Sequence, residues 1–348
     1  MEHLSHFGLS RDPFANDSLL SFYFEDEALT SAERRLLRGA TQDKGLCLLT
    51  GSGGSGKTML VRHLLESLEE EAYESVLLIP MPGVSDGRWI FDRFARQLGV
   101  EEPAEEPSKL LGQLYEQLAV IREEGRRAVL IIDEAQVLAD RGSLGELRGL
   151  LNLEYEDRRL LTMILAGLPQ LASKMAEGSA LAERVEIRVK IPSLDPESSV
   201  RYLRHRICAV DGDSAILESD AIEAIVSFAG GNPRRLNTLA DNSLYEAYLA
   251  GRTSATAQDV ARAASDLVLS AEEVESESKR DGDALVFNEA TSGATVDAES
   301  EVDEVIAADT NPPAEHRDPA ETIAILPDQG LPKDEEIDDL FEDLVGAS

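Results

Sequence analysis

Leu46-Cys47-Leu48-Leu49-Thr50-Gly51-Ser52-Gly53-Gly54-Ser55-Gly56-Lys57-Thr58 is the stretch on which the reading turns. Its first five residues are an apolar run of strand length. The next eight satisfy G-x-x-x-x-G-K-[ST], and a helical pattern runs on from Thr58 to Glu70. Glycines let the backbone curl until its N–H groups face one point, and the following helix N-terminus adds positive partial charge there. A phosphate fits such a cradle. Lys57 would reach the β/γ-phosphates and the Thr58 hydroxyl would ligate Mg²⁺. Gly51, Ser52, Gly53, Gly54, Ser55, Gly56, Lys57 and Thr58 are therefore the predicted ATP-binding residues. A flexible Gly/Ser loop is the competing explanation, and the flanking strand and helix weigh against it.

Outward from that loop, Val76-Leu77-Leu78-Ile79 is a second apolar run, closed by Pro80 and Pro82. Ala128 to Ile132 is a third and Leu161 to Ala166 a fourth. Val185-Glu186-Ile187-Arg188-Val189 alternates with period two, as a strand nearer a sheet edge does. Helical patterns such as Lys109 to Glu124 fall between the runs. The alternation predicts an α/β fold, with a five-stranded parallel sheet covered by helices on both faces. After Pro196 the sequence reads as helices only: Glu197 to Val210, Ser219 to Phe228, Arg234 to Ala250 and Thr256 to Leu267. The predicted organisation is an α/β nucleotide-binding domain at 1–195, a helical lid at 196–268 and an acidic tail at 269–348.

The third run ends Leu130-Ile131-Ile132-Asp133-Glu134-Ala135-Gln136, with Asp133 75 residues beyond Thr58. A buried central strand delivers such a pair to the phosphate edge of a parallel sheet. Asp133 would hold Mg²⁺ through water, and Glu134 would polarise a water for in-line attack on the γ-phosphate. Acidic residues also suit the first turn of a helix. Together with the phosphate loop, the pair points to a nucleotide hydrolase.

Composition sets limits around this site. The chain has 348 residues, with 33 Lys+Arg against 67 Asp+Glu and a formal charge of −34. That balance argues against a general DNA-coating protein. A hydrophobic content of 43% supplies a core and excludes wholesale disorder. Two cysteines, Cys47 and Cys208, fit a reducing compartment. The opening MEHLSHFGLSRDPF lacks the pattern of a secretory signal, and no stretch approaches the ~20 apolar residues of a membrane span. A cytoplasmic chain is the expectation. His3, His6, His63, His205 and His316 show no metal-cage spacing.

These motifs resemble those of AAA+ ATPases of the ExeA-like group, the general secretion pathway protein A family. The likeness rests on the phosphate loop, His6-Phe7-Gly8-Leu9 with Asp12-Pro13-Phe14, Asp133-Glu134-Ala135-Gln136, Leu147 to Glu154, Arg204-His205-Arg206, and Gly230-Gly231-Asn232-Pro233-Arg234-Arg235-Leu236-Asn237. It implies a P-loop NTPase fold with the nucleotide between the α/β domain and the lid. Arg234 falls at the sensor 2 position, where a guanidinium would approach the γ-phosphate, with Arg235 its weaker neighbour. Arg184 is the candidate finger acting on a neighbouring subunit's ATP, with Arg148 a rival. Asn152 and Glu154, read as lying on a helix, are candidates to position water or link subunits. Phe7 and Phe14 would line the adenine pocket or simply pack in a core. Trp89 would engage a partner or bury its ring at a helix start.

Two departures stand out. Members of the family carry Gly-Gln-Pro after the fourth strand, whereas this chain has Gly167-Leu168-Pro169-Gln170. Leucine cannot hydrogen-bond a water or a γ-phosphate. Either Gln170 or Asn152 substitutes, or hydrolysis is slow and the chain behaves as an ATP-dependent switch. The family's secretion proteins also continue into a membrane span and a peptidoglycan-binding part, where this chain has an acidic tail. From Ala271 to Ser348 there are 24 acidic and 4 basic residues; residues 1 to 270 hold 43 and 29. Such a tail is expected to be disordered. Within 336–345, Ile337, Leu340, Phe341 and Leu344 repeat at i, i+3, i+4, i+7, the pattern of a helix that docks in a groove; a chance pattern is the alternative.

The expected function is an ATPase that drives or switches assembly of a multiprotein complex of secretion or cell-envelope type, forming an ATP-dependent homo-oligomer. A nucleic-acid-associated helper ATPase of the transposition type, or a slowly hydrolysing nucleotide-gated scaffold, are the other readings.

Overall fold

Five parallel strands form one sheet, and their burial follows the hydropathy of the runs that build them. In chain order the elements are α1 (Glu2–His6), α2 (Glu27–Thr41), β1 (Leu46–Gly51), α3 (Lys57–Ser67), β2 (Tyr73–Leu78), α4 (Gly87–Gln97), α5 (Pro107–Glu123), β3 (Arg127–Ile132), α6 (Gln136–Asp140), α7 (Arg148–Leu151), β4 (Glu154–Tyr155), β5 (Arg158–Arg159), β6 (Leu161–Gly167), α8 (Pro169–Ala176) and β7 (Val185–Ile191). Four longer helices follow: α9 (Pro196–Cys208), α10 (Ser219–Ala229), α11 (Pro233–Leu249) and α12 (Ala257–Asp266). The sheet order is β2-β3-β6-β1-β7, parallel throughout. The continuous apolar runs are the three central strands, and all seven residues of β6 are buried. Alternating β7 and the half-polar β2 take the edges.

The computed structural model describes residues 2–83, 85–140, 143–176 and 181–267. They lie in one unit built on residues 1–278. The acidic tail and the 336–345 motif fall outside the described residues. Among the described residues no helix is long and apolar enough to cross a membrane.

One face of the sheet is closed by α2 and α3. Ala32, Leu36 and Ala40 of α2, with Leu60, Val61 and Leu64 of α3, pack on Cys47, Leu49, Ile164, Ile187 and Val189. Each leucine removed from water there is worth about 1.5–3 kcal/mol. Burial also pushes the Cys47 thiol up to about 12, so it behaves as a small hydrophobe.

The helical core joins α9–α12 to the start of the chain. Leu4, Phe7, Leu9, Phe14, Phe22 and Phe24 pack among Tyr202, Leu203, Ile207, Ile225, Leu236, Leu239 and Leu244. Six apolar side chains of the first 24 residues thus join the lid's core, although the sequence pattern groups this segment with the α/β domain. Arg206 fastens them: its Nε and Nη2 donate to the carbonyls of Pro13 and Ala15, and its guanidinium lies 3.8 Å from the Phe22 ring centroid. Burial lowers its pKa.

Two expectations about local structure are corrected. Asn152 and Glu154 are not on a helix: α7 ends at Leu151, Asn152 is its C-cap, and Glu154 opens a two-residue hairpin with Arg159. Glu156 and Asp157 make the turn with φ of 50° and 59°, the left-handed conformation such hairpins require. The second strand begins at Tyr73, three residues before its apolar run, and stops short of Ile79, which is exposed. An edge strand needs no apolar residue on its open side, so hydropathy misplaces its ends.

The two crossings between sheet and lid meet at one carboxylate. Asp26 caps α2 through Ala28 N and also accepts from Ser198 Oγ of α9 at 3.0 Å. Asp195 caps α9 in turn, accepting from Ser198 N at 2.8 Å.

Candidate active site

The phosphate loop leaves β1 at Gly51 and enters α3 at Lys57. Gly56 is the N-cap of α3, with φ 95° and ψ 10°, a conformation a side chain would strain. Gly54, with φ 79°, is needed for a second reason. A Cβ there would lie 2.6 Å from Arg234 Cβ, because the N-terminus of lid helix α11 abuts the loop. Arg234 N donates to Gly54 O at 3.3 Å, and Asn232 Nδ2 donates to Gly53 O at 2.8 Å. Asn232 also caps α11, its Oδ1 accepting from Arg234 N and Arg235 N. Two helix N-termini therefore converge on one short loop, and both favour negative charge there.

Lys57 is 5% exposed, with Nζ 2.9 Å from Gly51 O and 3.0 Å from Ser52 O. Burial lowers its pKa; the Glu134 and Asp133 carboxylates push it back up and Arg234 adds to the depression. The Ser55 hydroxyl is buried without a partner. A buried cation resting on carbonyls beside an orphaned hydroxyl fits a site made for an anion.

Across β6, Thr58 Oγ1 donates to Asp133 Oδ2 at 2.6 Å. The other Asp133 oxygen accepts from Glu134 N at 2.9 Å. Asp133 is 1% exposed, a carboxylate held at the end of a buried strand. A hydroxyl and a carboxylate in contact are hard oxygen donors suited to Mg²⁺. Glu134 takes φ 55°, in the left-handed region that costs a non-glycine residue about 1 kcal/mol. The chain therefore turns sharply after β3 and does not begin a helix at the acid pair.

Gly53, Gly54, Ser55, Gly56, Lys57, Thr58, Glu134 and Arg234 line one cleft of about 440 Å³, and Asp133 meets it through Thr58. Gly51 and Ser52 contribute the carbonyls under Lys57. Leu168 also lines the cleft, whereas Gln170 is exposed and away from it. Phe7 and Phe14 pack in the helical core; Phe22, Tyr23 and Phe24 form the aromatic wall instead. Tyr23 stacks on His63 at 3.8 Å, and its hydroxyl is buried without a partner. Burial foremost, then Glu33 and Glu25, pushes its pKa up to about 12. No spacing in the sequence marks Tyr23. Asn232 had a visible signal, an Asn directly before Pro at a helix start.

Arg184 is exposed and stands just before β7. Register pairs Val185 with Leu46 and Ile191 with Gly51, so Arg184 lies at the edge of the sheet opposite the phosphate loop. Over the intervening strand that is roughly 17 Å from its own site. Arg148 is half-buried, its Nε unpartnered. Trp89 sits in the first turn of α4, half-buried, with Arg93 5.9 Å from its ring centroid. Among the described residues no group of three or more His, Cys, Asp or Glu could hold a metal by itself.

Sheet order, phosphate loop, acid pair and helical lid define an AAA+ P-loop protein, and comparison with known proteins agrees. Residues 40–175 match the family described as AAA domain. The chain has the AAA+ P-loop fold and is similar to the general secretion pathway protein A type. It is 31% identical over 262 residues to general secretion pathway protein A of Aeromonas hydrophila, covering 74% of this chain and 47% of that one. The chain thus spans about half the length of this curated relative. The fold is shared with the ORC2 protein of Aeropyrum pernix (TM-score 0.57, 18% identity, 73% of this chain and 71% of that one). It is shared also with Drosophila ORC bound to DNA (TM-score 0.59, 17% identity, 78% and 67%).

Proposed function

We propose that the chain binds Mg-ATP between its α/β layer and its helical lid, hydrolyses it, and uses the lid to switch assembly or positioning of a multiprotein complex of secretion or cell-envelope type. The observation that carries this reading is the meeting of Thr58 and Asp133 at 2.6 Å beside buried Lys57, with the lid helix against the same loop. Mg²⁺ held by Thr58 and Asp133 would neutralise charge on the phosphate oxygens. Lys57 and the loop N–H groups bind the phosphates. Glu134 orients a water for in-line attack, and Arg234 carries the state of the γ-phosphate into α11.

Arg184, exposed and remote from its own loop, suits a finger for the next copy in an ATP-dependent homo-oligomer. Leu168 at the end of β6 supports slow turnover. A cytoplasmic location agrees with two free cysteines. The secretion role rests on the relative's name, and partner recruitment by Ile337, Leu340, Phe341 and Leu344 on sequence pattern alone. The nucleic-acid reading is the weaker one: in the basic stretch 201–206, Arg206 is buried against Pro13 and Ala15 and gives nothing to a surface.

Titration of the full chain with Mg-ATP, beside Lys57→Ala and Glu134→Gln, tests the reading. Lys57→Ala should abolish binding with the fold intact. Glu134→Gln should bind as wild type while turnover falls about 10²-fold or more. Equal ATP affinity of Lys57→Ala and wild type would overturn the assignment.

A further inference from the structure

Gln136 follows the acid pair, and its side chain bridges two strand ends. Its Nε2 donates to Glu134 Oε2, and its Oε1 accepts from Leu168 N at 3.2 Å. One main-chain bond runs beside this bridge, from Ala135 N to Ala166 O at 2.9 Å. The exit of β3 is thereby stitched to the exit of β6 at two levels. Gly167 makes room for it, since a Cβ there would sit 2.7 Å from Gln136 Oε1. Glu134 itself is turned into the cleft by its left-handed φ of 55°. Gln136 is half-buried and absent from the cleft wall, so it acts on Glu134 and not on a ligand.

We propose that Gln136 is a positioning residue for Glu134. It ties one carboxylate oxygen to the end of β6, leaves the other free to accept from the attacking water, and supplies the polar link that Leu168 cannot. The inference rests on the hydrolytic reading of this site and deepens it. A primary amide carries a donor and an acceptor on one planar group, which this position uses in full. Glutamate would set two carboxylates face to face. Methionine keeps the length and loses both bonds. Holding a reacting group within a fraction of an ångström of its working place is worth one to two orders of magnitude in rate.

The test uses the full chain with Gln136→Met and Gln136→Ala, each in wild type and in the Glu134→Gln background. Affinity for a non-hydrolysed ATP analogue should stay within twofold, KM within twofold, and kcat should fall about 10- to 100-fold. In the Glu134→Gln background the second change should lower turnover no further, because its effect passes through that carboxylate. Amide exchange at Leu168 should speed up about tenfold in Gln136→Met at equal melting temperature. Unchanged or raised kcat in Gln136→Met, or full additivity with Glu134→Gln, would overturn the proposal. If wild type itself turned over no ATP, the hydrolytic reading would fail separately. The bridge would then be judged by exchange alone, and protection of Leu168 unchanged in Gln136→Met would refute it.

Discussion

Changing Asn232 to Asp separates the two tasks of one side chain. Asn232 Oδ1 caps α11, and its Nδ2 ties the lid to Gly53 O at 2.8 Å. Aspartate caps helices as well as asparagine does, so the lid helix should keep its stability. The tie is lost: a donor becomes an anionic acceptor facing a carbonyl. A hydrogen bond of this kind contributes about 0.5–1.5 kcal/mol net, and the new repulsion beside a phosphate loop adds a similar amount. The expected weakening of Mg-ATP binding is therefore about 1–3 kcal/mol, or roughly 5- to 150-fold. Calorimetric titration with a non-hydrolysed analogue measures it, and a thermal melt serves as control. Asn232→Ala should weaken binding too and lower the melting temperature as well, because it removes the cap. Affinities within twofold of wild type for both variants would refute the idea that lid and loop are coupled through this residue.

Arg206→Met should leave the carbonyls of Pro13 and Ala15 unpaired and remove the contact with Phe22. A loss of about 3 kcal/mol is expected, read as a fall of roughly 6–12 °C in melting temperature. A shift under 2 °C would contradict the pinning role. Acidification should destabilise the chain through His205, whose Nε2 is buried without a partner and whose pKa is lowered, chiefly by burial. A histidine with a folded-state pKa below its ordinary 6.5 contributes stability that is present above that pH and lost as pH falls below it. His205→Gln should therefore flatten the stability profile between pH 7 and 5 in urea titrations, and an unchanged slope would count against it. Chelating Mg²⁺ should weaken ATP binding in wild type more than in Asp133→Ala, because the variant has already lost a ligand of the proposed metal site; equal weakening would remove Asp133 from that site.

The central strands, phosphate loop and acid pair were legible because each is a local pattern with one physical cause. The five apolar residues from Ala128 to Ile132 read as a buried strand delivering a carboxylate at Asp133, and Lys57 follows Gly56 at the start of a helix. Residues whose partners are far away in the chain were not legible. Phe7 and Phe14 carry the same apolar signature whether they face a ligand or a core; their packing with distant residues of α9 to α12 is what decides between the two. Tyr23 reaches the cleft only because the start of the chain packs with α9 and α11. The hairpin at Glu154–Arg159 was hidden because two-residue strands leave no periodicity, and the turn uses Glu156 and Asp157 where glycine or asparagine would have announced it.

The knot at Asp26 has a mechanical corollary. The polypeptide passes between the two bodies twice, and both passages are fastened to the same carboxylate, through Ala28 N on one side and Ser198 Oγ on the other. The start of α2 and the start of α9 are thereby kept side by side, with the Ser198 hydroxyl shared between Asp26 and Asp195, so the chain enters the sheet layer and leaves it at one place.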